Sequence, residues 1–187
     1  FEARAMSGKK LDIAARELLT RYEPDHLRRP GRLDIVSLAD ALEFGRERIV
    51  FGATDLEGGL EAFTDPLRRE IVVDNDSVYR PALVGDGRAR QTISHEIGHI
   101  MHITQVNQMI QHFSGPQLQR AVFVEVEVFR NPEWQAHHFG QALLMPPEPF
   151  VDVYRRGGLF AVTYEFGVSG SNAESRLKAL RKMGWQL

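Results

Sequence analysis

The chain has 187 residues, 43% hydrophobic and 26% charged, which suits one globular domain with a small appendage and excludes a disordered chain, a collagen or a coiled coil. It has no cysteine, so disulfides, thiolate metal sites, cysteine nucleophiles and iron–sulfur clusters are excluded, and any metal site must use His, Asp or Glu. Lysine and arginine total 23 against 25 aspartate and glutamate, which gives no electrostatic case for nucleic acid or membrane as the main partner.

Residues 1–10 carry no apolar stretch of the signal-peptide kind, and the absence of cysteine points to a reducing compartment, the cytoplasm. Leu11, Ala14, Ala15, Leu18 and Tyr22 recur at helical spacing and predict a first helix that stops before Pro24. Asp34 can cap a second, with Ile35, Leu38, Ala39 and Leu42 on one face and Gly45 just beyond its end. Three short β-prone runs follow, Arg48 to Phe51, Leu60 to Phe63 and Ile71 to Val73, separated by Gly58-Gly59 and Thr64-Asp65-Pro66. They predict a small antiparallel sheet. A third helix is expected from Arg88 to Ile103, where Ile93, Ile97 and Ile100 form the burial stripe.

The alternation of Val122, Val124, Val126 and Val128 predicts a strand, and Pro132 with Pro146-Pro147 brackets a fourth helix. Gly157-Gly158 separates a short segment from Leu159 to Phe166, and Ser169 or Ser171 caps a last helix carrying Ala173, Leu177 and Leu180. No apolar run approaches the roughly twenty residues that a membrane-spanning helix needs. The whole reads as an α+β fold, with a main domain over residues 1–146 and a helical segment over 147–187 packed on it.

The third helix contains His95-Glu96-Ile97-Gly98-His99, an HExxH motif. Residues four apart stand one turn above each other, so both imidazoles can reach one metal ion, and Glu96 can address a water on that metal. This is the arrangement that metal-assisted hydrolysis requires. A catalytic zinc takes three protein ligands and keeps one position open, so a third ligand must come from elsewhere. The continuation HExxHxxGxxH is not met, because His102 and Gln105 stand where Gly and His are wanted. Glu133, at the start of the proline-bracketed helix, is the leading candidate for a ligand supplied by a second helix, with Glu125 and Glu127 as alternatives.

Two spaced motifs and the tail together resemble a known family. Arg90 followed by His95-Glu96-Ile97-Gly98-His99, then Glu133-Trp134-Gln135-Ala136-His137-His138-Phe139 through Leu143-Leu144-Met145-Pro146, is similar to the ImmA/IrrE metallopeptidases. Phe166-Gly167-Val168-Ser169 with Ala173, Arg176 and Leu177 resembles that family's tail segment. The resemblance implies a minimal zincin-like, gluzincin-like peptidase fold: a small antiparallel sheet against the HExxH helix and a Glu-bearing helix, with a helix-turn-helix-like tail. It also implies zinc, or another divalent ion such as manganese, held by His95, His99 and Glu133, with Glu96 as catalytic base. The implied substrate is a DNA-binding helix-turn-helix repressor, cut in the bacterial cytoplasm in a stress response. Three positions depart from the family pattern: His137 replaces an Asn or Asp, Phe139-Gly140-Gln141 replaces Phe-Ala-Ala, and His102 is displaced by one residue. His137 and His102 are therefore candidates to brace a ligating imidazole, and His137 could also compete as a ligand.

Peptide hydrolysis also needs a donor for the developing oxyanion, and Tyr154, Tyr164, His138 and Arg176 are the available types; Arg176 gains weight from the tail resemblance. An extended substrate would pair with an edge strand, for which Gly59, Leu60, Glu61 and Ala62, running into Phe63, are the candidates. The competing expectation is a regulatory module that binds a repressor, or DNA through Arg176, Lys178, Arg181 and Lys182, without hydrolysis.

Overall fold

A computed structural model of the chain has an α+β architecture and describes residues 5–103 and 130–187. The strand expected at 122–129, with Glu125 and Glu127, lies outside the described residues, as does the side chain of His102. Helix α1 (Gly8–Tyr22) starts where the Ser7 side chain accepts a hydrogen bond from Lys10 N, and it buries Leu11, Ala15, Leu18 and Leu19. Pro24 opens a 3-10 turn, Pro24–Leu27, that carries His26 inward.

His26 Nε2 lies 3.1 Å from the Leu143 carbonyl, and burial pulls its pKa down to about 4 from the ordinary 6.5. The folded chain thus keeps this imidazole neutral where the unfolded chain would protonate it. Stability is full above pH 6.5 and falls as pH drops from 6.5 towards 4, by up to about 3 kcal/mol. Urea midpoints taken across that window should fall less steeply for His26→Gln than for the unaltered protein; parallel curves would refute this assignment.

Helix α2 (Ile35–Phe44) is capped by Asp34, which accepts from Ser37 N at 3.0 Å, and ends against Gly45. The sheet contains β1 (Val50–Thr54), β2 (Ala62–Asp65) and β3 (Glu70–Asp74) in the order β1-β3-β2. It is mixed rather than antiparallel, since β3 runs parallel to β1 and antiparallel to β2. The strand directions alternate along the chain, but β3 lies between β1 and β2, which makes one of the two pairings parallel. After β1 the chain steps past the place that β3 later fills, through a loop in which Gly58 and Gly59 take φ of 70° and 74°. Ile71 and Val73, both 0% exposed, then lie in the central strand, and among the described residues β2 is left at the sheet edge.

A π-helical turn (Asn75–Tyr79) and the short helix α3 (Arg80–Leu83) follow, neither of them expected from the sequence. Helix α4 (Gly87–Ile103) then crosses the middle of the molecule between α5 (Pro132–Leu144), α2 and β2. Ile93, Ile97 and Ile100 are at most 1% exposed there, and each contributes roughly 1.5–3 kcal/mol of burial.

Helix α6 (Pro147–Phe166) is broken at Gly157–Gly158, as the sequence indicated, and Gly167 in the left-handed region ends it. Helix α7 (Gly170–Lys182) is capped by Ser169. The tail joins the same core as the rest: Phe150, Val162, Phe166 and Leu180 belong to one cluster with Leu18, Leu38 and Ile97. Arg90, 2% exposed, reinforces this junction from α4. Its Nη1 donates to the Phe166 and Gly167 carbonyls, and its Nε and Nη2 donate to the Leu33 carbonyl. Among the described residues, no helix is long and apolar enough to cross a membrane.

Candidate metal centre

Helix α4 presents His95 and His99 one turn apart, and α5 begins directly opposite them. Asn131 caps α5 by accepting from Glu133 N at 2.9 Å and Trp134 N at 3.3 Å. Pro132 fills the first helical position, so Glu133 sits in the first turn, where the helix dipole favours a carboxylate. The two imidazole Nε2 atoms are 2.9 Å apart; His95 Nε2 lies 3.2 Å from Glu133 Oε2 and His99 Nε2 lies 3.4 Å from Glu133 Oε1. Among the described residues these three are the group able to hold a metal ion. A tetrahedral zinc with bonds of about 2.0–2.2 Å separates its ligand atoms by roughly 3.3–3.6 Å, so two nitrogens and a carboxylate at these spacings fit it within a few tenths of an ångström.

Two glycines bring the helices this close. A Cβ on Gly98 would stand 2.7 Å from the Ala136 carbonyl oxygen and 2.8 Å from its Cα, and one on Gly140 would stand 2.9 Å from Ser94 Oγ. Backbone cannot yield as a side-chain end can, so Gly98→Ala should wedge α4 from α5 and cost about 1–3 kcal/mol in urea denaturation. An unchanged midpoint would show that the helices part freely.

The charges are arranged for a cation. Hydrogen bonds from His95 and His99 hold the Glu133 carboxyl well below the usual carboxylate range. Burial pulls the His99 pKa down, but the hydrogen bond and charge of Glu133, with Glu96 behind them, outweigh it and raise it above the ordinary value. A proton on this pair occupies the place that a metal ion would take.

Glu96 is 9% exposed, and its Oε2 accepts from Thr64 Oγ1 at 2.6 Å. Thr64 lies on the edge strand β2 and fixes the carboxylate beside the two histidines. From the sequence Thr64 is expected in a turn with Asp65 and Pro66, but β2 continues to Asp65, and that extension sets Thr64 against Glu96. A cleft of about 640 Å³ opens at His95 and His137 and continues along α4 to the start of α7. His137 is not among the three metal-capable residues; burial and the nearby His95 and His138 push its pKa down.

Two of the expected oxyanion donors, Arg176 and His138, are engaged in other contacts. Arg176 is 0% exposed; its Nη1 and Nη2 donate to Asp12 at 2.9 and 3.2 Å, and its Nε donates to the Met145 carbonyl. His138 Nε2 lies 3.1 Å from the same Asp12, with its ring against Trp134. Burial opposes ionisation of Asp12, but His138 and Arg176 outweigh it and lower its pKa. Both residues therefore form a buried tie between α1, α5 and α7, which corrects their assignment to the reaction. Tyr154 stacks on Phe150 and accepts from Arg181, and Tyr164 is 73% exposed on the second half of α6. Of the expected substrate strand, Ala62 and Phe63 lie in β2; Gly59, Leu60 and Glu61 belong to the loop before it, because two successive positive φ angles turn the chain there.

An α+β fold with an HExxH helix and a facing glutamate is thus the class that the coordinates define. No family model and no curated protein matches the sequence. Among solved structures, the chain is similar to a Mycobacterium tuberculosis transcriptional regulator at 19% identity and a TM-score of 0.63. The match covers 91% of this chain and 56% of that one, so the chain spans little more than half of that structure. A likeness at this identity shows a shared fold.

Proposed function

We propose that the chain is a zinc-dependent endopeptidase of the ImmA/IrrE kind, which hydrolyses a peptide bond in a helix-turn-helix repressor and thereby derepresses genes. The observation that carries this reading is the convergence of His95, His99 and Glu133 with separations of 2.9–3.4 Å. A zinc ion held there would polarise the scissile carbonyl and make a water acidic enough to give up its proton near neutral pH. Glu96, anchored by Thr64, accepts that proton and returns it to the leaving amine. Among the described residues the outer edge of β2 is unpaired, and it would offer main-chain groups to an extended substrate lying alongside Glu96.

The second reading, a binding module acting on a repressor or on DNA, draws on the fold shared with a transcriptional regulator. Its DNA-binding form loses ground because Arg176 is buried, which leaves Lys178, Arg181 and Lys182 as the exposed cations of α7. The test is metal content paired with activity on helix-turn-helix repressors encoded nearby. One zinc per chain, lost in Glu133→Ala, with cleavage abolished by a chelator, is the expected result. Absence of zinc under metal-replete handling would overturn the proposal, and zinc with binding but no cleavage would favour the module. Since metal displaces a proton from His99, whose pKa is raised, zinc affinity measured against a chromophoric chelator should fall between pH 8 and pH 6 by more than the roughly fourfold of an ordinary imidazole.

A further inference from the structure

Gln91 lies on α4 one turn before His95 and ends a relay of three side-chain amides. Gln141 Nε2 donates to the Asn172 main-chain carbonyl at 3.4 Å, and because that oxygen can only accept, the orientation of the Gln141 amide is fixed. The same Nε2 donates to Asn172 Oδ1 at 2.6 Å, which leaves Asn172 Nδ2 to donate to Gln91 Oε1 at 2.5 Å. Orientation thus passes from the main chain through all three amides, and Gln91 Nε2 is left over as a donor. It is buried, and among the described residues it is the one buried side-chain polar atom with no partner. A buried donor left unmade is costly, so the missing partner must be an acceptor supplied from outside the relay.

Gln91 lines the cleft of about 640 Å³ that opens at His95. Among the described residues no acidic side chain lines that cleft, and the other groups along it include Arg88, Ser171 and Ser175. Arg88 is an exposed cation in an ion pair with Glu61. The first turn of α7, the positive end of its dipole, borders the same space at Ser171. An oxygen seated against Gln91 would complete the relay beside the Arg88 guanidinium and the positive end of α7.

We propose that this cleft is a substrate subsite for a side-chain carboxylate, an aspartate or glutamate close to the scissile bond, with Gln91 Nε2 as its donor. The proposal rests on the hydrolytic reading of the neighbouring metal centre and names the substrate chemistry which that centre selects.

The test uses the full chain carrying Glu96→Gln, so that nothing is cut, and two pools of fluorescein-labelled hexapeptides that differ only in glutamate or lysine at one central position. Fluorescence anisotropy should show the glutamate pool binding at least about fivefold more tightly. Gln91→Leu should remove that preference. Gln91→Glu keeps an acceptor for Asn172 but replaces the free donor with a carboxylate, and should reverse the preference towards lysine. Circular dichroism melts establish that each variant is folded. Equal binding of the two pools, no binding of either, or a preference that survives both Gln91 variants would overturn the proposal. Cleavage of the glutamate pool by the unaltered protein, read by mass spectrometry, tests the hydrolytic reading separately: selective binding without cleavage would sink that reading and leave the carboxylate site standing.

Discussion

Glu96→Gln should lower the rate of peptide hydrolysis by about 10²- to 10⁴-fold while the zinc content stays at one per chain. The amide has the shape of the carboxylate and still offers an oxygen to Thr64 Oγ1, so the 2.6 Å contact and the packing of α4 survive the change. The three metal-capable groups are untouched. What is lost is a base able to take a proton from water and return it to the departing amine. Rate and metal content measured on the same preparation separate this role from metal binding. A rate equal to that of the unaltered protein would remove Glu96 from the reaction, and the hydrolytic reading with it.

Arg176→Ala should cost about 3–5 kcal/mol of stability and leave the turnover of the folded protein unchanged. Arg176 is wholly buried, and its removal strands Asp12, 11% exposed in its side chain, with His138 as its one remaining partner in the tie. Asp12→Ala should cost a similar amount. The double variant should lose less than the sum, because both changes break the same interaction. Denaturant melts and rates taken well below the transition distinguish this role from catalysis. An Arg176 that supplied an oxyanion donor would instead give a full rate loss with little change in stability.

Most of the helical frame was legible because it is written in local rules. Asp34 and Ser169 cap α2 and α7, Pro132 starts α5, and Gly157–Gly158 breaks α6 where the sequence indicated. The candidate ligands were legible because four-residue spacing on a helix is itself a geometry, and because Glu133 followed a proline helix start. The order of the strands was not, since alternation of direction along the chain leaves open which strand is central. The apolar run Ile71-Val72-Val73 was the available signal, because central strands are covered on both sides. Long-range partnerships were also hidden. Asp12 and Arg176 are 164 residues apart in sequence, and each alone reads as a surface charge. The amide relay joins Gln91, Gln141 and Asn172 from three helices, and no spacing rule links them.

The close contact of α4 and α5 has a consequence for how such a centre could change its ion. Its calibre is set by main-chain contact at Gly98 and Gly140, so the helices act as a caliper whose jaws carry the three metal-capable groups. A larger ion could then be favoured by a single methyl group at either glycine, with His95, His99 and Glu133 all retained. Two chains with identical ligands could therefore prefer different ions, and comparing their ligands alone would not reveal it.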